Sequence, residues 1–169
     1  MREIVQSGQL GELKRCIWII TNWYRTQAYY NSGGWRATWS GEGGGVLLNQ
    51  PPHSLDLWQW MFGMPTKIRG FCYNGKYHDI EVEDDVTAMA KYPNGATGVF
   101  ITTTGDAPGT NRLESAGTKG KMVLEEGGQP RPNAEDVQAA LFAGIRVKGV
   151  ANLPCWTPNL RQLQARINF

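Results

Sequence analysis

The chain has 169 residues, 41% of them hydrophobic, and a formal net charge of +2, so it is long and apolar enough for one domain with a buried core. Because the charge is near neutral and no run of lysine and arginine occurs, nucleic acid and anionic membrane surfaces are excluded as expected partners. The longest apolar stretches fall short of the roughly 20 residues that span a membrane, and the N-terminus lacks the hydrophobic run of a signal peptide, so we expect a cytoplasmic protein.

Three cysteines, Cys16, Cys72 and Cys155, are widely spaced and form no CxxC pair. An odd number of cysteines without metal-ligand spacing favours neither a disulfide framework nor a zinc site. We therefore interpret all three as reduced thiols in the core.

The first part of the chain predicts a helix end, a strand and a long loop. Gly8 is typical of a helix terminus and closes a short helix over residues 1–7. The segment LKRCIWIITNWY, residues 13–24, is rich in β-branched and aromatic side chains and predicts a strand. Residues 24–45 are rich in glycine and aromatic residues, and a loop of this length is more typical of a functional segment than of a simple connector.

A helix is predicted next, from Ser54 to Met61. Leu55 and Trp58 recur at helical spacing on one side of it, and Gly63 ends it. This apolar side is expected to pack against a sheet.

Beyond the helix the apolar period changes to two, which predicts strands. Turn sequences such as Asn74-Gly75 and Pro93-Asn94-Gly95 separate the strand segments TKIRGFCY, VTAMAKY, ATGVFITTT, NRLESAG and GKMVLEE. Short connections favour an antiparallel meander. With the first strand, the pattern predicts an α+β fold, an open and mainly antiparallel sheet of about five to seven strands with helices on one face.

Both faces of the predicted sheet carry apolar groups. Val99 and Ile101 alternate with Phe100, so a face without helices would still be apolar. We expect that free face to pair with a second copy, which gives a homo-oligomer.

The composition shifts near residue 126, where proline and glycine become frequent. We therefore divide the chain into a domain over residues 1–125 and an atypical tail over residues 126–169. The tail contains one predicted helix, from Glu135 to Phe142, with Asn133 as its cap.

The stretch GGGVLLNQPPHSLDL, residues 43–57, concentrates the candidate chemistry. Its glycines permit close backbone approach, and its two prolines suit the first turn of a helix, which places His53 near a helix N-terminus. Asn49 lies four residues earlier, so a helical backbone would put both side chains on one face, able to hold the same hydroxyl or carbonyl. The alternative is a glycine-rich turn with an asparagine cap and a histidine that only satisfies a hydrogen bond.

The run GEGGGVLLNQPPHSLDLWQWMFGMP, preceded by GGWR and followed by HDIEVEDDVTAMAKYPNGATGVFITTTGDAPGTNR, resembles the C-terminal domain of the Gfo/Idh/MocA oxidoreductases, the glucose-fructose oxidoreductase and inositol dehydrogenase superfamily. The resemblance covers roughly residues 1–125. Its most specific part is a glycine triplet followed at fixed spacing by an amide, a histidine and an aspartate. It implies an open, mainly antiparallel sheet that carries the substrate pocket and the oligomer interface, beside a Rossmann domain that binds NAD or NADP.

The resemblance also implies a catalytic pair. His53 matches the family histidine that shuttles the proton of the substrate hydroxyl, and Asp56, three residues further along, would orient its neighbours. Asn49 stands where many members have an aspartate, and this departure matters because an amide orients a hydroxyl or carbonyl but cannot act as a carboxylate base.

Further residues are assigned to binding on the same grounds. Trp35 and Arg36 match a Trp-Arg pair near the nicotinamide and the substrate, and we assign Gln50, the second amide of the motif, to the substrate as well. The glycines that would pass close to the same site are assigned to the cofactor: Gly43, Gly44 and Gly45.

An acidic cluster in the later part of the chain raises the question of a metal. It comprises Glu81, Glu83, Asp84 and Asp85. Because it falls in a strand-and-turn context, we interpret it as a solvated edge and assign no metal ligands.

The sequence contains no GxGxxG loop and no Glu-Lys-Pro motif. Hydride transfer needs a nicotinamide that the protein positions, so we expect NAD or NADP to be bound mainly by a Rossmann domain absent from this chain. The resemblance then implies the substrate-binding and oligomerisation half of an oxidoreductase for a sugar, polyol or related hydroxy compound, inactive by itself. The alternative is a non-catalytic sheet domain that binds carbohydrate or dimerises.

Overall fold

The computed structural model describes residues 1–125. The helix predicted over residues 135–142 and Cys155 lie outside the described residues. The described chain has ten elements: α1 (Arg2–Gln6), β1 (Leu13–Ile20), α2 (Gln27–Asn31), α3 (Val46–Asn49), α4 (Pro52–Phe62), β2 (Lys67–Asn74), β3 (Glu83–Lys91), β4 (Thr97–Thr103), β5 (Asn111–Gly117) and β6 (Lys121–Glu125).

The six strands form one sheet in the order β2-β3-β4-β1-β5-β6. Strand β1 pairs parallel with β4 and antiparallel with β5, and all other pairs are antiparallel. The predicted α+β class and the mainly antiparallel open sheet are confirmed. The predicted meander holds for β2-β3-β4 and for the β5-β6 hairpin, but β1 separates the two groups because it takes a central position, where both of its edges are paired.

Several element boundaries differ from the sequence-based expectation. The helix that Gly8 closes is present as α1, and Gly8 has a φ of +77°. Strand β1 ends at Ile20 rather than at residue 24. The loop expected over residues 24–45 contains α2, which begins because the hydroxyl oxygen of Thr26 accepts a hydrogen bond from the backbone N–H of Tyr29 at 3.2 Å.

The core lies between α4 and one face of the sheet. Trp58 of α4 stacks on Trp18 of β1 at 6.4 Å between ring centroids and meets the edge of Phe100 of β4 at 5.5 Å. Gly98 of β4 lets the indole approach, since a Cβ there would lie 2.9 Å from it. The indole N–H of Trp58 donates to the hydroxyl of Tyr92. The predicted apolar side of this helix is therefore the side that packs on the sheet.

Two of the three cysteines lie in the described part of the chain, and both are free thiols. Burial raises the pKa of Cys16 to about 12, and its Sγ lies 3.8 Å from the hydroxyl of Tyr92. Burial, with the charges of two nearby carboxylates, raises the pKa of the half-buried Cys72 to about 11. Both groups therefore remain protonated thiols near neutral pH. Cys16 lies in the core, as the sequence predicts, whereas Cys72 lies outside the core cluster.

The expectation that the acidic cluster is a solvated edge is wrong for two of its members, Glu83 and Asp84. Asp84 is fully buried and Glu83 is 8% exposed. The carboxylate of Asp84 accepts hydrogen bonds from the backbone N–H groups of Lys76, Tyr77 and His78 at 2.8–3.0 Å. The turn before β3 directs these donors inward, and buried N–H groups require acceptors.

The flanking members of the cluster are less buried. Glu81 is exposed and Asp85 is half-buried, where it forms an ion pair with Lys76 at 3.2 Å. Among residues 1–125, no group of three or more His, Cys, Asp or Glu side chains is arranged to hold a metal ion. None of the helices in this part of the chain is long and apolar enough to cross a membrane.

The burial of Asp84 predicts a large effect of a small substitution. Asp84→Asn replaces one acceptor oxygen by an amide that cannot accept from the backbone donors, so we expect it to lower the free energy of unfolding by about 3 kcal/mol. Urea unfolding followed by tryptophan fluorescence measures this change. Asp79→Asn is the matched control, because Asp79 is exposed and its substitution should cost less than about 0.5 kcal/mol. Equal midpoints for the two variants would contradict the assigned role of Asp84.

Candidate functional site

The glycine triplet lies where the chain passes over the start of β3. A Cβ on Gly45 would overlap the carbonyl oxygen of Glu83, so this position requires glycine for packing. The carboxylate of Glu83 accepts from the backbone N–H groups of Gly45 at 3.0 Å and of Leu47 at 3.1 Å, which ties the start of α3 to the sheet.

The three glycines have different surroundings. Gly44 and Gly45 are buried, whereas Gly43 is exposed and has a φ of +79°. A Cβ on Gly43 would meet only the end of the Leu48 side chain, at 3.9 Å. Of the positions assigned to the cofactor, Gly43 is thus the one whose backbone is open to an approaching ligand.

The stretch from Asn49 to His53 is not one continuous helix. Helix α3 ends at Asn49, Gln50 is its C-cap, and α4 starts after Pro51. Pro52 occupies the first turn of α4, as the sequence predicts. Asn49 and His53 therefore belong to different helices, and their four-residue spacing does not put them on one helix face.

The two proposed catalytic side chains are both accessible. His53 is exposed in the first turn of α4, and Asn49 is exposed at the end of α3. Both side chains can therefore be reached from solvent. The pKa of Asp56, three residues after His53, is raised. Burial causes this shift, and the nearby imidazole opposes it only in part.

Glu42 is a site residue that the sequence analysis did not identify. One of its carboxylate oxygens accepts from the side-chain amide of Asn49, and the other accepts from the backbone N–H of Ala37 at 2.8 Å. The carboxylate thus connects the long loop to the end of α3. A signal was present in the sequence, since Glu42 is a single charged residue within a run of glycines.

The Trp35-Arg36 pair is held by an aromatic residue of α2. The guanidinium of Arg36 lies 4.5 Å from the ring centroid of Trp35 and 4.6 Å from that of Tyr29. Its Nη1 also donates to the Tyr29 hydroxyl at 2.9 Å. Trp35 is 52% exposed, so the pair presents an open indole beside a fixed cation.

Two cavities flank the glycine triplet. A small polar one lies between α2, α3 and the start of β3, and its lining includes Glu42, Gly45, Asn49 and Gln50. A larger, apolar one of about 330 Å³ lies on the other side, between α4 and the sheet, with Gly43 and Gly44 in its wall.

The structure therefore brings together only part of the predicted set. Asn49, Gln50 and Gly45 share the small polar cavity. Trp35, Arg36 and His53 line neither of the two cavities. Tyr30, which also borders the polar cavity, donates to Thr104 at 2.9 Å, and burial raises its pKa. The carboxylate and phenol groups at this cavity are already engaged within the protein. The cavity itself measures about 10 Å³, which is room for about one water molecule.

An open sheet with helices on one face and a glycine-rich approach to α3 defines a class of domain. The sequence profile of the GFO/IDH/MocA C-terminal domain matches residues 1–123. The chain belongs to this family, and the resemblance inferred from its motifs is confirmed.

Curated and solved relatives agree with this assignment. The chain is 30% identical over 126 residues to trans-1,2-dihydrobenzene-1,2-diol dehydrogenase of Bos taurus, an alignment that covers 73% of this chain and 34% of that protein. It is similar to the WlbA dehydrogenase of Bordetella pertussis, solved with NADH and UDP-GlcNAcA, with 25% identity, a TM-score of 0.67 and coverage of 73% of this chain and 38% of that one.

The WlbA dehydrogenase of Chromobacterium violaceum, also solved with NADH and UDP-GlcNAcA, gives 26% identity and a TM-score of 0.66. That alignment covers 82% of this chain and 43% of the other. The chain thus spans about a third of the length of the curated relative and about two fifths of these solved structures.

The packing of Gly45 predicts that this glycine is required for the local fold. Gly45→Ala would place a methyl group against the backbone of β3, so we expect a loss of roughly 1–3 kcal/mol in the free energy of unfolding. Gly34→Ala is the matched control, because a Cβ there meets nothing within 4 Å. Chemical denaturation of both variants measures the difference. If Gly45→Ala were as stable as the control, the close approach to Glu83 would not constrain this position.

Proposed function

We propose that this chain is the substrate-side half of an NAD(P)-dependent oxidoreductase that acts on a sugar, a polyol or a related hydroxy compound. The observation that carries the proposal is the group of hydrogen-bonding side chains at the end of α3, with an exposed imidazole at the start of α4. Membership of the family supports it, as does the dehydrogenase activity named for the three relatives described above.

In this proposal His53 and Asn49 act on two neighbouring hydroxyl groups of the substrate. His53 accepts the proton of the hydroxyl whose carbon loses hydride, and its exposure allows the proton to pass on to water. Asn49 orients the second hydroxyl by accepting its hydrogen bond through the side-chain oxygen. Because an amide does not ionise near neutral pH, His53 is the base and Asn49 is not.

The remaining assigned residues bind and position. Two aromatic rings and a hydrogen bond fix the position of Arg36. Its guanidinium could therefore hold an oxygen-rich substrate in one orientation. Gln50 borders the small cavity next to Asn49. The open indole of Trp35 and the exposed backbone of Gly43 fit the flat ring of a nicotinamide, which would accept the hydride. We propose that a dinucleotide-binding domain holds the rest of NAD or NADP.

The proposed roles are tested in the chain joined after the dinucleotide-binding domain of a relative. His53→Ala should lower kcat by about 10²- to 10⁴-fold, the usual contribution of a positioned acid or base, with little change in stability. Asn49→Ala, which removes only an orienting hydrogen bond, should cost on the order of 1–3 kcal/mol in transition-state stabilisation.

Two controls accompany this experiment. The chain without an added domain should not turn over NAD(P)H, since hydride transfer needs a positioned nicotinamide. Melting temperature is measured beside kcat for each variant. A His53→Ala variant with unchanged turnover per folded molecule and a lowered melting temperature would show that the histidine is structural.

We also infer self-association through the sheet face that carries no helices. Phe71 and Met89 on this face are 70% and 58% exposed, and the register places them beside Thr87 and Val99 of the neighbouring strands. Apolar side chains extend over β2, β3 and β4 on this face, with Arg69 beside Met89 and the ion pairs of Glu114 toward β5. An exposed apolar patch bordered by charged residues is typical of an interaction surface. This observation also favours the second candidate function, a non-catalytic sheet domain that dimerises.

The inferred dimer predicts a change of mass on substitution of this face. The chain should be a dimer at micromolar concentration, and Phe71→Glu combined with Met89→Glu should give a monomer, because the charges would be desolvated at the interface. Multi-angle light scattering measures the mass. Tyr24→Glu, which introduces a charge at an exposed aromatic residue outside the strands, is the control and should leave the dimer intact. A monomeric wild type would contradict the inference.

A further inference from the structure

The hydrogen bonds of Glu42 determine what its neighbour can present to a ligand. An ionised carboxylate accepts hydrogen bonds and donates none. One oxygen of Glu42 already accepts from the backbone N–H of Ala37, and the other faces Asn49. Toward this carboxylate Asn49 must therefore turn its NH₂ group, and its Oδ1 points elsewhere.

The backbone keeps this arrangement in place. Ala37 is 2% exposed, and the N–H groups of Glu42 and Gly43 both donate to the carbonyl of Thr38, at 3.0 and 3.1 Å. The N–H of Asn49 donates to the carbonyl of Gly45 at 3.0 Å. Backbone hydrogen bonds therefore hold both Glu42 and Asn49 in place. Asn49 is exposed, and no donor within residues 1–125 bonds to its Oδ1, so this oxygen is available as an acceptor.

We propose that Glu42 is a positioning residue that sets the direction of the Asn49 amide, so that the site presents an acceptor oxygen and selects a ligand hydroxyl that donates. The inference rests on the proposed function only for the identity of the ligand. The direction of the Asn49 amide is a property of this chain and does not depend on the proposed function.

The same geometry explains why residue 49 is an amide here rather than a carboxylate. Asp at position 49 would oppose the carboxylate of Glu42, and like charges in contact repel. Gln at position 42 would reverse the requirement: its carbonyl oxygen would keep the bond from Ala37, and its NH₂ group would donate to a carboxylate at position 49. Residues 42 and 49 therefore form a pair in which one is an acid and the other an amide.

Other ionisable groups near the pair are already engaged. The small cavity is also bordered by Tyr29, Tyr30 and Glu83. The hydroxyl of Tyr29 accepts from Arg36, that of Tyr30 donates to Thr104, and the carboxylate of Glu83 accepts from two backbone N–H groups. If Tm depends on pH only in variants with an acid at position 49, that dependence is therefore assigned to residues 42 and 49.

The test is a double-mutant cycle on the full chain. Asn49→Asp should lower Tm by about 2–4 °C at pH 8, and the deficit should shrink as the pH falls, because protonation of either carboxylate removes the repulsion and restores a donor. The double variant Glu42→Gln with Asn49→Asp should recover most of the loss at pH 8. Gln9→Glu, the same change of chemistry at an exposed residue, should show neither effect.

A spectroscopic readout separates positioning from general stability. In ¹H–¹⁵N spectra of the wild type, the side-chain NH₂ signals of Asn49 should move as carboxylates are protonated, since the charged acceptor then becomes a neutral carboxylic acid, which accepts more weakly. In Glu42→Gln these signals should no longer move with pH. Additive Tm changes without pH dependence, or Asn49 signals that are the same in the wild type and in Glu42→Gln, would overturn the proposal.

The consequence for the ligand is measured in the chain joined to a dinucleotide-binding domain. Glu42→Gln alone lets the Asn49 amide turn its NH₂ outward, so KM for a polyol substrate should rise by about tenfold, the effect of one hydrogen bond, with a smaller change in kcat. The double variant restores an outward oxygen and should lower KM again. If the wild-type fusion shows no turnover while the Tm cycle and the spectra behave as expected, the proposed function fails and the direction of the amide stands. If the wild type is active and KM is unchanged by Glu42→Gln, the assigned selection of a hydroxyl donor is wrong.

Discussion

Two adjacent carboxylates at the start of β3 connect the sheet to the segments that carry the candidate site. Glu83 accepts from the backbone N–H groups of Gly45 and Leu47, and Asp84 accepts from three successive backbone N–H groups in the turn at residues 76–78. Both side chains are buried, so these bonds form in a low-dielectric setting where an unpaired donor or charge is costly. The positions of α3 and of the preceding glycines depend on the bonds of Glu83, and that of the turn before β3 depends on those of Asp84.

The aromatic core gives the second constraint. Trp18, Trp58 and Phe100 fix α4 against the centre of the sheet, and the start of α4 carries His53. The histidine is therefore placed by the packing of Trp58, in the middle of the same helix, whereas Asn49 is placed by the bonds of Glu83 to the start of α3 and by its own bond to Glu42. The aromatic core and the bonds of Glu83 thus hold the two helices that carry the proposed catalytic residues, one on each side of the break between α3 and α4.

The side of the domain that carries the candidate site is organised by carboxylates that accept hydrogen bonds from the backbone. Glu42 accepts from the N–H of Ala37, Glu81 from that of Trp39, and Glu83 from that of Gly45. A loop rich in glycine has high conformational entropy when unfolded, and these acceptors order it without an apolar core of its own. Function-bearing loops on a rigid sheet commonly have this division of roles.

The sequence by itself determined the strands, the apolar side of α4, the terminus at Gly8 and the family, because periodicity, turn chemistry and motif spacing are local and need no knowledge of distant contacts. It did not determine that β1 lies between β4 and β5, that Glu83 and Asp84 are buried, or that Glu42 holds Asn49. Glu83 contacts a backbone N–H 38 residues away, and whether a carboxylate is solvated or buried depends on which distant donors the fold brings to it. Only the tertiary structure decides that, since the cost of burying a charge is offset by partners that no local pattern reveals.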